Sequence, residues 1–422
     1  MKGFFINYII FIPGFVIRAG LYIQLIISTG GKNLMKKKLA FFLAVLMVFT
    51  ILAGCTSGTD TGTKTGTGAE QPNDGEKPPA VEDNKVRVAY VAMTNGSAQV
   101  FINQKYNIFS EQLGTLGKEV EYIAAHGLQE VYPLLDKEEG APDFMYLPHT
   151  AFSTYNTKKS KYGGSEKYML IAASVNSNDI NLVTRPEIKS LKDLDGKKVG
   201  IANLRYADDY QLNKVLSAVG LKTSTYGGTV EIVWDNIVSD LWNNYGEGKY
   251  AAIVNFDNAN NLPKAKSMVP GSKVYSLNPD GLFGRVQPRL WLVAKKELVR
   301  DNPELVKAFL KGHILSTEKA IEKIHELPEI NRELRMAWFE GKGVQQEVID
   351  KENELEIFRE SWNEAEISYD PNMDYIKGLF DYMVKEGHFS YKTLDEFASV
   401  ELLNEVLQEM GKPPVKQEVW NE

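Results

Sequence analysis

The sequence predicts an α/β protein of two lobes, each built on a mainly parallel β-sheet flanked by helices. From residue 86 onward, β-branched apolar segments alternate with polar turns and helical segments, which is typical of parallel sheets with right-handed crossovers. A long extended run, residues 168–184, can carry the chain from one lobe into another. The stretch from 86 to 422 is also too long for one small core, which favours two lobes.

The first lobe is predicted to begin with three strands, at residues 86–92, 119–124 and 143–146. Helical stretches are predicted between them, at residues 99–113 and 129–136. Ligands of parallel sheets bind beyond the carboxyl ends of the strands, where helix amino termini supply free N–H groups. The loops that follow these strands are therefore predicted to face a ligand.

Residues 190–201, SLKDLDGKKVGI, indicate a short capped turn that leads into a buried strand. The segment resembles the S-x-x-D-L-x-G-K-K-V-G signature of the solute-binding proteins of nitrate, sulfonate and taurine ABC importers, a family that also includes thiamine-pyrimidine binders. Other segments resemble the family in the same order along the chain, at residues 212–220, 231–233, 248–253, 289–295, 302–310, 369–387 and 394–403. Within the 302–310 segment, Asn302 and Pro303 predict a helix start.

The resemblance implies the two-lobed fold of type II periplasmic binding proteins. The first lobe (lobe 1) would comprise residues 86–181 and 286–422, and the second lobe (lobe 2) would comprise residues 182–285, with two extended crossings between them. The resemblance also implies that the protein is not an enzyme: it would capture a small molecule between its lobes and deliver it to the permease and ATPase subunits of an ABC importer. No cofactor is expected, and the protein is expected to be a monomer.

Residues 35–55, MKKKLAFFLAVLMVFTILAGC, combine three lysines, an uncharged apolar core from Leu39 to Leu52 and a small-residue ending at Cys55. The core is shorter than the ~20 residues that span a bilayer. The ending resembles the lipobox of bacterial lipoproteins. That resemblance implies that residues 35–54 are a signal peptide and that Cys55 becomes the lipidated first residue, on the extracytoplasmic face of the cell membrane.

Residues 1–34 precede this signal and are predicted to be upstream sequence, with translation starting at Met35. Their apolar run from residue 4 to 27 contains proline, glycine and arginine and indicates a poor transmembrane helix. Residues 55–85 hold Cys55 and a flexible linker rich in Gly, Ser, Thr and Pro, which has too little apolar surface to fold.

Charge and cysteine content exclude several functions. The chain has 48 basic and 55 acidic residues, and residues 1–54 hold six of the basic residues and none of the acidic ones. Removing that segment leaves 42 basic residues and a net charge of −13, which disfavours a nucleic-acid partner.

Cys55 is the only cysteine, so no disulfide, thiolate metal site or cysteine nucleophile is expected in the folded part. The histidines show no metal-ligand spacing, so no metal is expected.

The predicted ligand site consists of four loops that face a cleft, at residues 94–98, 146–150, 203–207 and 255–258. Family members usually place a Gly-Ser or Gly-Thr pair in the third loop, whereas this chain has Asn-Leu-Arg-Tyr-Ala. The candidate ligand-binding residues are Thr94, Asn95, Ser97, Tyr146, His149, Thr150, Asn203, Arg205, Tyr206, Trp234, Asn255, Phe256 and Asp257.

Arg205 is the candidate for binding an anion, because its planar guanidinium fits a sulfonate, carboxylate or phosphate. The alternatives are a surface position or an ion pair with Asp208 or Asp257 that bridges the two lobes. His149 is expected to form a hydrogen bond rather than to bind a metal.

Aromatic side chains offer a second mode of binding. Tyr146, Tyr206, Trp234 and Phe256 could stack on a flat or alkyl ligand, or they could belong to the core. Arg205→Ala and Tyr206→Ala distinguish the two modes.

Three functions fit the sequence. The first is a lipid-anchored solute-binding protein for a small organic anion of the sulfonate or nitrate type. The second is a thiamine-pyrimidine-type binder or a synthase-like enzyme on the same fold. Such synthases need a cysteine-rich iron motif, which this sequence lacks because Cys55 is its only cysteine. The third is a ligand sensor that is not coupled to transport. We favour the first.

Overall fold

The computed structural model describes residues 4–12, 15–23, 84–92, 95–125, 128–158, 167–178, 180–202, 205–256, 258–284, 286–343 and 365–416. The chain divides into two compact units, Met1–Ala80 and Val81–Glu422. In the first unit, the described residues form two antiparallel strands, β1 (Phe4–Ile12) and β2 (Phe15–Ile23). The poor transmembrane helix expected over residues 4–27 is therefore replaced by a hairpin, in keeping with the β-branched and aromatic residues of this run. The predicted signal peptide and Cys55 lie outside the described residues.

The second unit contains two β-sheets with helices packed on them. Its strands are β3 (Lys85–Val91), β4 (Glu119–Ala125), β5 (Phe144–Pro148), β6 (Tyr168–Ser177), β7 (Ile180–Thr184), β8 (Lys198–Ala202), β9 (Glu231–Asp235), β10 (Ala252–Phe256), β11 (Lys273–Ser276), β12 (Pro288–Lys295) and β13 (Ala365–Ile367). Its α-helices are α1 (Ala98–Tyr106), α2 (Ile108–Gly114), α3 (Leu128–Asp136), α4 (His149–Tyr155), α5 (Tyr206–Ser217), α6 (Val238–Gly246), α7 (Asn258–Met268), α8 (Lys296–Asp301), α9 (Pro303–Glu322), α10 (Leu327–Lys342), α11 (Met373–Lys385) and α12 (Glu401–Glu409).

Lobe 1 has the strand order β13–β6–β12–β5–β3–β4. Strand β3 is parallel to β4 and β5, whereas β12 is antiparallel to β5 and β6, and β13 is antiparallel to β6. Lobe 2 has the order β11–β7–β10–β8–β9, in which β8 is parallel to β9 and β10, and β7 is antiparallel to β10 and β11. The predicted two-lobed α/β fold is confirmed. Each sheet joins a parallel block of three strands to antiparallel strands next to the crossings.

Two segments cross between the sheets. The first leaves β6 after Ser177 and enters β7 at Ile180, within the extended run predicted at 168–184. Strand β7 therefore begins slightly before the lobe boundary predicted at position 182. The second crossing leaves β11 and returns through β12 to lobe 1.

The two crossings are hydrogen-bonded to each other. Asn178 Oδ1 accepts from Asn278 Nδ2 at 2.8 Å and from the backbone N–H of Gln287 at 3.2 Å. Asn278 Nδ2 also donates to the carbonyl of Gly284 at 3.0 Å. The two segments that connect the sheets are therefore held to one another by asparagine side chains.

The helix predictions are partly corrected and partly confirmed. The single helix predicted at 99–113 is broken at Asn107, whose φ of 56° lies in the left-handed region that asparagine tolerates. The segment 394–403, which resembles a terminal segment of the family, forms a 3-10 turn at Leu394–Glu396 and then the start of α12. Helix α9 begins as predicted, with Pro303 in its first turn and Asn302 Oδ1 accepting from the N–H of Leu305. No helix in the described part of the chain is long and apolar enough to cross a membrane.

Candidate functional site

Helix α5 of lobe 2 lies between the two lobes. Ten of its twelve residues are buried, and its side chains contact α4, α11 and the segment after α11, all of lobe 1. The helix starts directly after β8, at the carboxyl end of the parallel block, and the amino terminus of α4 follows β5 in the same way. This is the edge of each sheet at which the sequence predicted the ligand site.

Arg205 immediately precedes α5 and is fully buried. Its Nε lies 3.1 Å from Asp208 Oδ2, and both side chains are almost inaccessible, at 2% and 1% exposure. The guanidinium also donates to the carbonyls of Ala202 at 3.2 Å and Val254 at 3.5 Å. The predicted pairing with Asp208 is present, but it does not bridge the lobes, because both residues belong to lobe 2.

His149 is the first residue of α4 and is buried where the lobes meet. Its Nδ1 lies 3.2 Å from the carbonyl oxygen of Arg289, and its Nε2 lies 3.5 Å from Gln211 Nε2. Burial, with further contributions from the charges of Arg205 and Arg289, lowers the pKa of His149 to about 3. The imidazole is therefore neutral at physiological pH. Its proton sits on Nδ1 facing the carbonyl, and Nε2 is an acceptor.

Three other side chains complete this group around His149. Gln211 Nε2 donates to the hydroxyl of Tyr375 at 2.7 Å. The rings of Trp291 and Tyr375 pack edge-on against the imidazole, with centroids 5.5 and 5.9 Å away. We call His149, Gln211, Trp291 and Tyr375 the His149 cluster; three of its members come from lobe 1 and Gln211 comes from lobe 2.

Aromatic rings line the same interface. Tyr206 stacks on His388 of lobe 1 at a centroid distance of 4.1 Å and lies 5.0 Å from Trp234 of lobe 2. Beside them, Tyr210 packs against Phe283 and Tyr375 at 5.9 and 5.7 Å. Of the four predicted stacking residues, Tyr206 and Trp234 are brought together between the lobes.

A cavity of about 400 Å³ opens beside Tyr375, between α5, the return crossing and α11. Its wall includes Tyr210 and Lys214 from lobe 2 and Asn372 from lobe 1. A cavity of this size is within the range of small-molecule sites.

Asp209 links the two lobes on the other side of α5. Its Oδ2 accepts from the hydroxyl of Tyr382 in lobe 1 at 2.8 Å and from Thr225 in lobe 2, and Tyr226 stacks on Tyr382 at 4.5 Å. Burial raises the pKa of Asp209, although the hydrogen bonds from Thr225 and Tyr382 lower it. Ionisation of this buried carboxyl therefore destabilises the folded protein.

We expect Asp209→Asn to remove a pH-dependent part of the stability. Because the folded-state pKa is raised above the ordinary 3.8, the folded protein keeps this proton to higher pH than the unfolded chain. The stability from this group is complete below pH 3.8 and is lost as pH rises through the folded-state pKa. In urea unfolding, the wild type should lose stability relative to the Asp209→Asn variant from acidic to neutral pH. The exposed Asp395→Asn is the control, and a pH-independent difference for Asp209→Asn would contradict the assignment.

Two predicted site residues lie inside lobe 1 instead of at the cleft. The hydroxyl of Tyr146 is 2.8 Å from Nδ1 of His313, whose Nε2 is 2.8 Å from the carbonyl of Ala173. Ser97 is fully buried, and its Oγ donates to the carbonyl of Val91 at 3.3 Å. Strand β5 alternates its side chains between the two faces of the sheet, and Tyr146 points to the face covered by α9.

The remaining candidates lie on several elements. Thr150 is buried in the first turn of α4, and Asn255 is buried in β10 opposite Asn181. Asn95 starts a 3-10 turn and Phe256 ends β10. Predicted residues that lie outside the described part of the chain are Thr94, Asn203 and Asp257.

The sequence predictions missed Gln211, Asp209, Tyr375 and Tyr382. A signal for them was present: three polar residues, Asp208, Asp209 and Gln211, stand in the first turns of a helix that follows a buried strand. Tyr375 and Tyr382 are seven positions apart, so they share one face of α11. In the described residues, no group of three or more His, Cys, Asp or Glu side chains could hold a metal ion.

Comparison with known proteins gives a family match and a shared fold. Residues 162–329 match the family model described as NMT1/THI5 like. No curated protein sequence matches the chain significantly. Among solved structures, the periplasmic nitrate-binding protein NrtA of Synechocystis PCC 6803 has a TM-score of 0.54 at 14% identity, over 79% of this chain and 90% of that one.

A periplasmic sulfonate-binding protein, SsuA of Methylobacillus flagellatus KT, superposes with a TM-score of 0.52 at 17% identity, over 79% of this chain and 98% of that one. The alkanesulfonate-binding protein SsuA of Xanthomonas axonopodis pv. citri superposes with a TM-score of 0.50 at 9% identity, over 76% of this chain and 100% of that one. At these identities the structures show the fold alone. The chain has the two-lobed fold of periplasmic binding proteins, and its residues 162–329 are similar to the NMT1/THI5-like family model.

Proposed function

We propose that the protein is a solute-binding protein of an ABC importer, which holds a small molecule between its two lobes and delivers it to a permease. The observation that carries this proposal is the position of α5. A helix of lobe 2 presents Tyr206 and Gln211, next to Arg205, to polar and aromatic groups of lobe 1, while two crossing strands join the lobes. Ligand contacts to both lobes can then bias an equilibrium between open and closed states.

An anionic ligand of the sulfonate or nitrate type is the class we propose. Arg205 of lobe 2 and Arg289 of lobe 1 both act on His149 electrostatically, so cationic groups from both lobes approach one point. Asp208 forms an ion pair with Arg205, and burial raises the pKa of Asp209. Cationic groups of both lobes therefore act on the buried His149 within a protein that is acidic overall.

The sequence supports a membrane location for this function. The signal at residues 35–54 and the lipobox ending at Cys55 would place the folded part outside the cytoplasm, at the end of the linker from residue 56 to 85. The composition of this segment predicts a random coil with a reach of roughly 30 Å, enough for the protein to stay near an importer in the same membrane. Catalysis by a synthase of this fold is disfavoured, because Cys55 is the only thiol available to a cysteine-rich iron motif.

Lobe closure provides the test. Small-angle scattering should give a smaller radius of gyration for protein that retains its co-purified molecule than for protein stripped in mild denaturant and refolded. The Tyr206→Ala variant should have a larger radius of gyration than the wild type, as in the open form, because it lacks a ring stacked between the lobes. Tyr245→Phe, which alters a hydrogen bond to Ser272 inside lobe 2, is the matched control. Identical profiles before and after stripping would contradict closure on a ligand.

A further inference from the structure

We propose that the ligand carries an N–H or O–H group, which donates a hydrogen bond to Gln211 Oε1 in the closed cleft. This inference rests on the proposed function and refines its ligand class. Nitrate and unsubstituted alkanesulfonates have no such group. The ligand is therefore a small anion substituted with a hydroxyl or an amide.

Gln211 is fully buried on the face of α5 that meets lobe 1. Its Nε2 is used by the hydroxyl of Tyr375, whereas its Oε1 has no hydrogen-bond partner among the residues that the structure describes. A buried amide oxygen without a donor is costly, because it has lost its hydrogen bonds to water without gaining another. Such an atom at the meeting point of two lobes marks a position for a donor from a ligand.

The orientation of this amide follows from His149. The imidazole is neutral and its single proton lies on Nδ1, next to the carbonyl of Arg289. Its Nε2 therefore presents a lone pair toward Gln211 at 3.5 Å. If the amide were turned around, Oε1 would face this lone pair and two acceptors would repel each other. The arrangement in which Nε2 faces His149 and the hydroxyl of Tyr375, and in which Oε1 is left for another donor, is thus favoured.

Gln287, in the second crossing, is another buried amide whose side-chain atoms have no hydrogen-bond partner among the described residues. It directly precedes β12, close to Arg289 in the chain, and its side chain is fully buried. Within the described part of the chain, neither Nε2 nor Oε1 of this amide has a hydrogen-bond partner. An amide with both ends available pairs best with a group that donates and accepts together, which a hydroxyl or an amide does and a nitrate ion does not.

The test compares probes that have the same charge and differ by one hydroxyl. The pairs are ethanesulfonate with 2-hydroxyethanesulfonate, and acetate with hydroxyacetate, measured by calorimetry on stripped protein. We expect the hydroxylated member of a pair to bind about tenfold more tightly, as one satisfied buried hydrogen bond predicts. Gln211→Met should abolish this preference, because it keeps the side chain's length and removes the acceptor.

Tyr382→Phe is the matched control. It removes another hydrogen bond between the lobes, to Asp209, but lies outside the His149 cluster, so it should weaken both members of a pair equally and keep their ratio. Equal binding of both members by the wild type, or a preference that survives in Gln211→Met, would overturn the inference.

The proposed function and this inference fail in different ways. A retained molecule without an N–H or O–H group, identified by native mass spectrometry, would overturn the inference and leave solute binding in place. If neither probe pair binds, the retained molecule tests the inference: an N–H or O–H group in it would support the inference, and the absence of such a group would overturn it. Failure of the proposed function itself would appear as no retained molecule and no lobe closure.

Discussion

Replacing Arg205 by alanine is expected to weaken ligand binding by about tenfold to a hundredfold, the loss that a charge-assisted contact in a closed cleft predicts. It should also lower the free energy of unfolding by about 3–5 kcal/mol, because the substitution leaves the buried carboxylate of Asp208 without its cation. Calorimetry and urea unfolding measure the two effects separately. Arg205→Lys should lose much of the binding, since an ammonium lacks the planar geometry of the guanidinium.

A double variant separates the two roles of Arg205. Arg205→Ala with Asp208→Ala removes both charges of the buried pair, so most of the stability should return while binding stays weak. Binding that returns together with stability would show that the arginine acts only through folding. An affinity of Arg205→Ala within a factor of two of wild type would contradict the anion hypothesis, and Tyr206→Ala would then be the damaging change for a flat, neutral ligand.

Cys55→Ser is expected to move the protein from the membrane fraction into the medium, or to leave it unprocessed with its signal attached. Two acyl chains hold a protein on a membrane stably, whereas a single chain is marginal, and Cys55 is the only residue that can carry them at this lipobox. Fractionation and intact-mass analysis provide the measurement. Thr63→Ala in the linker is the control and should stay membrane-bound.

The same intact-mass measurement tests the predicted start at Met35. A wild-type chain that retains residues 1–34 would contradict that start. Wild-type protein found soluble and without acyl chains would contradict the lipid anchor.

The strands and the crossings could be predicted because they depend on local pattern. Residues 86–92 and 119–124 are short runs rich in β-branched or aromatic residues, and 198–202 follows the capped turn predicted within 190–201; the structure places a strand at each. The extended run at 168–184 has no helical period, which is why it could be recognised as a passage between lobes. The capped turn at Ser190 and Asp193 could be predicted for the same reason, because its hydrogen bonds join residues that are three positions apart.

The contacts of the site could not be predicted from local pattern, because they depend on how the lobes meet. Tyr146 and His149 are close neighbours on one strand and the helix that follows it, yet Tyr146 lies in the core and His149 at the interface. That difference arises from the alternation of side chains and from α9, whose His313 is 167 positions from Tyr146 in the sequence. Pairing of Gln211 with Tyr375 likewise joins residues 164 positions apart.

Native mass spectrometry of the protein purified from its own host tests the central claim most directly. We expect one small molecule per chain, anionic and bearing an N–H or O–H group, which is released when the lobes are opened by mild denaturation. The same molecule added back should raise the stability of the stripped protein, by about 2.7 kcal/mol at 100 times its dissociation constant. A chain that retains no molecule, and that gains no stability from extracts of its host, would contradict the claim that this protein binds a solute.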